Sequence, residues 1–181
     1  ALRSAEVIVG YSTYITFLDP ETLKGKEVIS TGMTQEVVRC QKAISRAQAG
    51  LATAVVCSGD CGIYAMAGLI LEMLEEQGLL EAQDVEVIPG IPALAAGSAL
   101  LGAPLMHDFA CISLSDLLTP WKLIEQRIAA ASQADFVLVL YNPRSRKRDW
   151  QLDAALKAIR GHRPACTPMG VVRNAAREDQ E

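Results

Sequence analysis

The chain has 181 residues, half of them apolar, with 17 lysines and arginines against 21 aspartates and glutamates and a formal net charge of −4. That length and apolar content suffice for a sizeable core, as one large domain or two small ones. The charge balance leaves no wide basic footprint for nucleic acid, and no apolar run approaches the ~20 residues of a membrane-spanning helix, since Leu94–Leu101 is interrupted by Gly97 and Ser98.

Ala1–Ala5 reads as the last turn of a helix and Glu6–Gly10 as a strand that follows at once, so a further strand and helix are expected upstream. No charged segment followed by an apolar core marks a signal peptide at Ala1–Ala5. Tyr11–Phe17 is aromatic and β-branched and closes at the Asp19-Pro20 turn. Val28 and Ile29 predict a short strand ending at Ser30-Thr31-Gly32. Thr34 is placed to cap a helix whose apolar stripe is Val37, Val38, Cys40, Ile44 and Ala47 and which stops at Gly50. Thr53–Cys57 is uninterrupted in apolar character, the pattern of a parallel strand covered on both faces. It runs into Ser58-Gly59-Asp60, and a helix is expected from about Ile63 to Gln77, closed by Gly78 as the residue after its cap.

The second half repeats the alternation. Asp84–Ile88 predicts a strand, Pro89-Gly90-Ile91-Pro92 a turn, and Ala93–Leu101 a helix of small residues against which another element or a ligand can lie closely. Phe109–Ser113 predicts a strand and Ser115–Pro120 a linker, which sets domains at 1–114 and 115–181. The expected elements that follow are helix Trp121–Ala131, strand Phe136–Tyr141, helix Trp150–Ile159 and strand Met169–Val172. Strands alternating with helices imply an α/β architecture with parallel or mostly parallel sheets. In such folds polar residues beyond the carboxyl ends of strands gather along one edge, where ligands bind. Here those ends carry Ser58-Gly59-Asp60, Pro89-Gly90-Ile91, Ser113-Leu114-Ser115, Asn142-Pro143-Arg144 and Arg173-Asn174.

The chemistry is sparse in obvious catalytic groups. Gly59 and Gly62 let backbone approach a ligand, and Asp60 either accepts hydrogen bonds from a ligand or caps the following helix. His107 is a candidate general base or an ordinary structural histidine. The catalytic set is left open, with Asp60 and His107 as the named candidates. Five cysteines, Cys40, Cys57, Cys61, Cys111 and Cys166, lie mostly in apolar segments, which suits a reducing cytoplasm. Their spacing with His107 and His162 argues against a metal site. The dinucleotide fingerprint GxGxxG and the phosphate loop GxxxxGK[ST] are absent. The basic run Arg144, Arg146, Lys147 and Arg148 after a strand, and Arg173 after another, offer guanidinium forks for substrate carboxylates; for Lys147 and Arg148 a solvated helix start is preferred.

Four segments carry a resemblance: VVCSGDCGIYAMAG (Val55–Gly68), EVIPGIPALAAGSALLGAPLMHDFACISLSDLLTPW (Glu86–Trp121), FVLVLYNPRSRKR (Phe136–Arg148) and TPMGVVRNAAR (Thr167–Arg177), with support from GKEVISTGMTQEVVRC (Gly25–Cys40). Together they resemble the tetrapyrrole (corrin/porphyrin) methylases, and the segments after Leu101 and Leu140 resemble the branch acting at carbon 17 of a precorrin. The resemblance implies two α/β domains with parallel or mixed sheets flanked by helices and S-adenosylmethionine held between them. It implies methylation of carbon 17 of precorrin-3B, or its cobalt form, with ring contraction in cobalamin biosynthesis, by a cytoplasmic homodimer. Carried over position by position, Gly59, Asp60, Ile63, Tyr64, Pro92, Ala93, Tyr141, Asn142, Asn174 and Ala175 would contact the cofactor. Arg144, Arg146 and Arg173 would meet the substrate. The family's opening strand with its GxGPG-like loop and its closing strands have no counterpart in these residues, so the chain is expected to be truncated at both ends. Alternatives are a family member acting at another ring position or on diphthine, and a nonenzymatic Rossmann-like nucleotide-binding module.

Overall fold

The computed structural model describes residues 1–145 and 148–181, which form two compact units, Ala1–Pro92 and Ala93–Glu181. In the first unit, β1 (Val7–Tyr11) is the middle strand of a three-stranded parallel sheet, flanked by β2 (Glu27–Thr31) and β3 (Thr53–Val56). Being central, β1 is covered on both faces. Ile8 packs with Ala5 and Ile15 on one face, while Val7 and Val9 pack with Ala43 on the other. Burying a side chain such as Ile8 completely contributes roughly 1.5–3 kcal/mol.

Tyr11 ends β1, and α1 (Ser12–Ile15) starts directly after it and folds Ile15 back over Gly10. A short second helix, α2 (Pro20–Leu23), is capped by the Asp19 side chain, which accepts from the Glu21 backbone N–H at 3.0 Å. Next, α3 (Glu36–Gln48) lies on the Val7/Val9 face. Its cap residue is Gln35 rather than Thr34. Thr34 has φ 64 and its hydroxyl donates to the Met33 carbonyl, while the Gln35 side chain accepts from the Gly32 N–H. The inward face of α3 is Arg39, Cys40, Ala43 and Ile44, and Val37 and Val38 are exposed. A further helix, α4 (Ala67–Glu76), completes this layer through Met73 and Leu74 against Cys40, Ile44 and Met66. Gly78 takes φ +67 just past its cap, as its position predicts.

In the second unit β4 (Phe109–Ser113) and β5 (Val137–Tyr141) pair in parallel, joined by α6 (Trp121–Gln133) and followed by α7 (Gln151–Arg160). Ile112, Leu114, Ile124, Ile128 and Ala155 form the core between sheet and helices. Trp121 and Trp150 meet edge to face at 4.9 Å. The small-residue helix, α5 (Ala93–Leu100), is present as predicted, followed by a 3-10 turn at Pro104–Met106. Because β4 pairs with β5, it belongs to this unit, and the compact units divide after Pro92, earlier than the 114/115 linker suggests.

Two predicted strands are not formed. Asp84–Ile88 forms no ladder among the described residues; its end is tied to the turn after β3 instead, and Val87 and Ile88 remain 48% exposed. Met169–Val172 alternates as a strand does but lies on a helix instead. Val172 packs 3.7 Å from where a Cβ on Gly97 would sit, Gly170 abuts Leu101, and Met169 and Val171 face solvent. The close contact that the small residues of α5 permit is thus made, at Gly97, by the chain's own Val172.

Candidate functional site

The turn after β3 is built around Asp60. The helix that the sequence places from Ile63 begins only at Ala67, because Tyr64 takes φ 51 and interrupts it. The intervening residues form a loop closed by the Ala67 N–H donating to the Cys61 carbonyl at 3.0 Å. Inside it, Asp60 Oδ1 accepts from the Gly62 N–H at 2.8 Å and Oδ2 accepts from the Gly90 N–H at 2.9 Å. The Cys61 thiol donates to the Ile88 carbonyl at 3.2 Å. One carboxylate therefore fastens the extended segment 84–91 to the strand end. Gly90 is obligatory there, since a Cβ would fall on the Gly59 carbonyl, 3.0 Å from its carbon. The amides of Gly90, then Gly62 and Ile63, hold the Asp60 carboxyl below its ordinary value. It is ionised at neutral pH, which suits an anchor or acceptor better than a proton carrier. Gly59, Ile63 and Tyr64 lie on the same turn, with Tyr64 exposed.

The carboxyl ends of β1 and β3 enclose a cavity of about 220 Å³ whose lining includes Tyr11, Tyr14, Arg39, Ser58, Tyr64 and Met66. Arg39 is only 4% exposed. Its Nε donates to the Thr31 hydroxyl at 2.7 Å, its Nη2 to the Gly32 carbonyl at 2.9 Å and its Nη1 to the Met66 sulfur at 3.6 Å. The Tyr11 ring lies 5.8 Å from the guanidinium carbon. Sequence reading passed over Arg39; the signal available was a single arginine flanked by Val38 and Cys40 in an amphipathic helix. Burial pushes the Cys57 thiol up and the Cys40 thiol to about 11, so neither is a thiolate at neutral pH.

In the second unit the end of β5 meets the start of α5. The Tyr141 hydroxyl accepts from the Leu94 N–H at 2.9 Å, satisfying a first-turn amide beside Ala93. Asn142, at φ 52, donates through its side-chain amide to the Ser113 hydroxyl at 2.9 Å, and its carbonyl accepts from Arg148 at 2.6 Å. The ends of β4 and β5 and the first turn of α5 are therefore joined. Asn174 takes φ 51 and donates to Asp179 at 2.6 Å, with Ala175 half-buried beside it. Arg173 forms an exposed ion pair with Glu181 at 3.6 Å, so its fork is engaged. Arg144 is exposed, Arg146 lies outside the described residues, and His107 is exposed after the 3-10 turn. Pro92 closes the first unit.

The whole chain, residues 1–181, matches the family description "Tetrapyrrole (Corrin/Porphyrin) Methylases". The chain belongs to the tetrapyrrole methylases. This methylase is 54% identical over 183 residues to the probable cobalt-factor III C(17)-methyltransferase of Salmonella typhimurium, covering 100% of the chain and 74% of that protein. It is 39% identical over 184 residues to the precorrin-3B C(17)-methyltransferase of a Sinorhizobium species, covering 99% and 70%. Among solved structures, the methyltransferase CobJ superposes with a TM-score of 0.89 at 34% identity, covering 98% of the methylase and 73% of that chain. No helix among the described residues is long and apolar enough to cross a membrane.

Proposed function

We propose that this methylase transfers the methyl group of S-adenosylmethionine to carbon 17 of a precorrin-3B-type tetrapyrrole, metal-free or cobalt-bearing, with contraction of the ring in cobalamin biosynthesis. The observation that carries the reading is the 54% identity, sustained over the full chain, to a protein named for that carbon. Two turns offer backbone, polar and aromatic groups to a nucleoside and an amino acid: Gly59-Asp60 with Ile63 and Tyr64, and Tyr141-Asn142 beside Ala93. Pro92, Asn174 and Ala175 extend this set. The donor set fits such a group, because each Asp60 oxygen keeps acceptor capacity after its amide bond.

When bound, S-adenosylmethionine supplies an electrophilic methyl on a sulfonium. Transfer to an electron-rich ring carbon needs little proton movement, so the protein's work is alignment and exclusion of water. The anchoring of Asp60 by two amides fixes the turn in place beforehand, which is the rigidity that alignment requires. Ring contraction does require proton transfer, for which exposed His107 is the open candidate and ionised Asp60 a poor one. Arg144 is the candidate for a substrate carboxylate at this end of the second unit. The protein acts as a homodimer in the cytoplasm.

Calorimetry with S-adenosylhomocysteine tests the cofactor site. The wild-type chain binds it, and Asp60→Ala weakens binding by about tenfold, the worth of one hydrogen bond to a charged group. Unchanged affinity in Asp60→Ala would remove Asp60 from the site.

A further inference from the structure

Arg39 is a permanent cation placed almost wholly out of water, and among the described residues every group that meets its guanidinium is neutral: a hydroxyl, a carbonyl, a thioether and an aromatic ring. Buried charges are ordinarily paired, because desolvation costs several kcal/mol that neutral partners recover only in part. The weakest of these contacts is at Nη1, where the thioether of Met66 is a poor acceptor at 3.6 Å. Arg39 and Met66 both line the cavity at the ends of β1 and β3. Glu36 lines the same cavity, but it is exposed and forms no ion pair with Arg39. At about 220 Å³ the space is larger than a carboxylate with its adjoining methylenes needs, and Tyr11, Tyr14 and Tyr64 give it aromatic walls.

We propose that Arg39 is a carboxylate-binding residue, its Nη1 edge receiving a carboxylate of the bound ligand in the cavity formed by Tyr11, Tyr14, Ser58, Tyr64 and Met66. The inference rests on the methylase reading, which supplies two sources of that group: the amino-acid end of the S-adenosyl donor and the acidic arms of a tetrapyrrole. A guanidinium already fixed by Thr31 and Gly32 loses little further freedom on pairing, so the contact discriminates a carboxylate from its neutral analogue. It also ties ligand recognition at the Tyr64 side of the Asp60 turn to the end of β2, through Thr31 and Gly32.

The test measures binding to the full 181-residue chain with two pairs of probes. One pair is S-adenosylhomocysteine and its decarboxylated analogue, read by calorimetry. The other is a porphyrin carrying carboxylate arms and the corresponding primary amide, read by fluorescence. In the wild type one carboxylate probe binds at least tenfold more tightly than its neutral partner, and the pair that shows the difference identifies the source. Arg39→Gln abolishes that difference, whereas Arg39→Lys retains part of it. Met66→Glu offers Arg39 a carboxylate from the protein itself; it too abolishes the difference, and it keeps the test decisive where Arg39→Gln does not fold. Equal binding of acid and neutral probes by the wild type, or equal weakening of both in the variants, would overturn the inference while leaving the methylase reading intact. Failure of the wild type to bind any of the four would overturn both.

Discussion

At the residue scale, two glycines that look alike in the sequence differ in what surrounds them. A Cβ at Gly90 meets the backbone of Gly59, which has no way to yield, while one at Gly10 meets Ile15 Cδ1 at 2.7 Å, the movable end of a side chain. Gly90→Ala is expected to lower stability by about 1–3 kcal/mol and to loosen the Asp60 turn, and Gly10→Ala to cost less. Denaturant titration of both variants checks the order. Asp60 adds a pH dependence of determinate sign. Its carboxyl lies lower in the folded protein than the ordinary 3.8, so the bonds to Gly90 and Gly62 contribute fully above that value and are lost as pH falls through the lowered one. The Gly90 amide should therefore be protected from exchange near neutral pH and lose protection only below the ordinary carboxylate range. Asp60→Asn should flatten that dependence.

At the element scale, periodicity located every paired strand and the longer helices α3 to α7 but neither four-residue helix, α1 nor α2, which are too short to show a period. β1 and β5 read clearly because their residues are apolar without interruption, and Phe109–Ser113 was bounded by turn residues on both sides. Asp84–Ile88 and Met169–Val172 have the residue pattern of strands, but a strand exists only through its ladder, and here one segment is spent on Asp60 and Cys61 and the other on α5. On α3, the apolar pair Val37 and Val38 drew the predicted stripe one position aside, hiding the inward Arg39. An arginine on a buried face is invisible to any reading that equates burial with apolarity. The late start of α4 is set by the backbone at Tyr64, for which composition gave no sign. The turns around Asp60 and Asn142 were legible as strand ends, whereas the bonds joining them to Gly90 and Ser113 span 30 and 29 residues and are not encoded locally. Each unit has its own core, which assigns comparable weight to Ile8 in β1 and Ile128 in α6, both fully buried. Truncating either to alanine should cost about 2–5 kcal/mol, read by thermal or denaturant unfolding.

At the scale of the whole molecule, the proposed methyl transfer asks the site for geometry more than for reactive groups. The buried thiols are protonated, Asp60 is an anchor, and at the ends of β4 and β5 Tyr141 is bonded to Leu94 and Asn142 to Ser113. Such an arrangement suits methyl transfer, in which a preformed electrophile needs only to be aimed. Membership of the tetrapyrrole methylases, matched over residues 1–181, agrees with that chemistry. Position-specific methylation is tested by analysis of the product. Precorrin-3B or its cobalt form is incubated with the protein and S-adenosylmethionine carrying an isotopically labelled methyl, and the product is examined by mass spectrometry and NMR. One labelled methyl at carbon 17 of a contracted ring is the expected product. A labelled methyl at any other ring carbon, or none in a protein that binds S-adenosylhomocysteine, would contradict it.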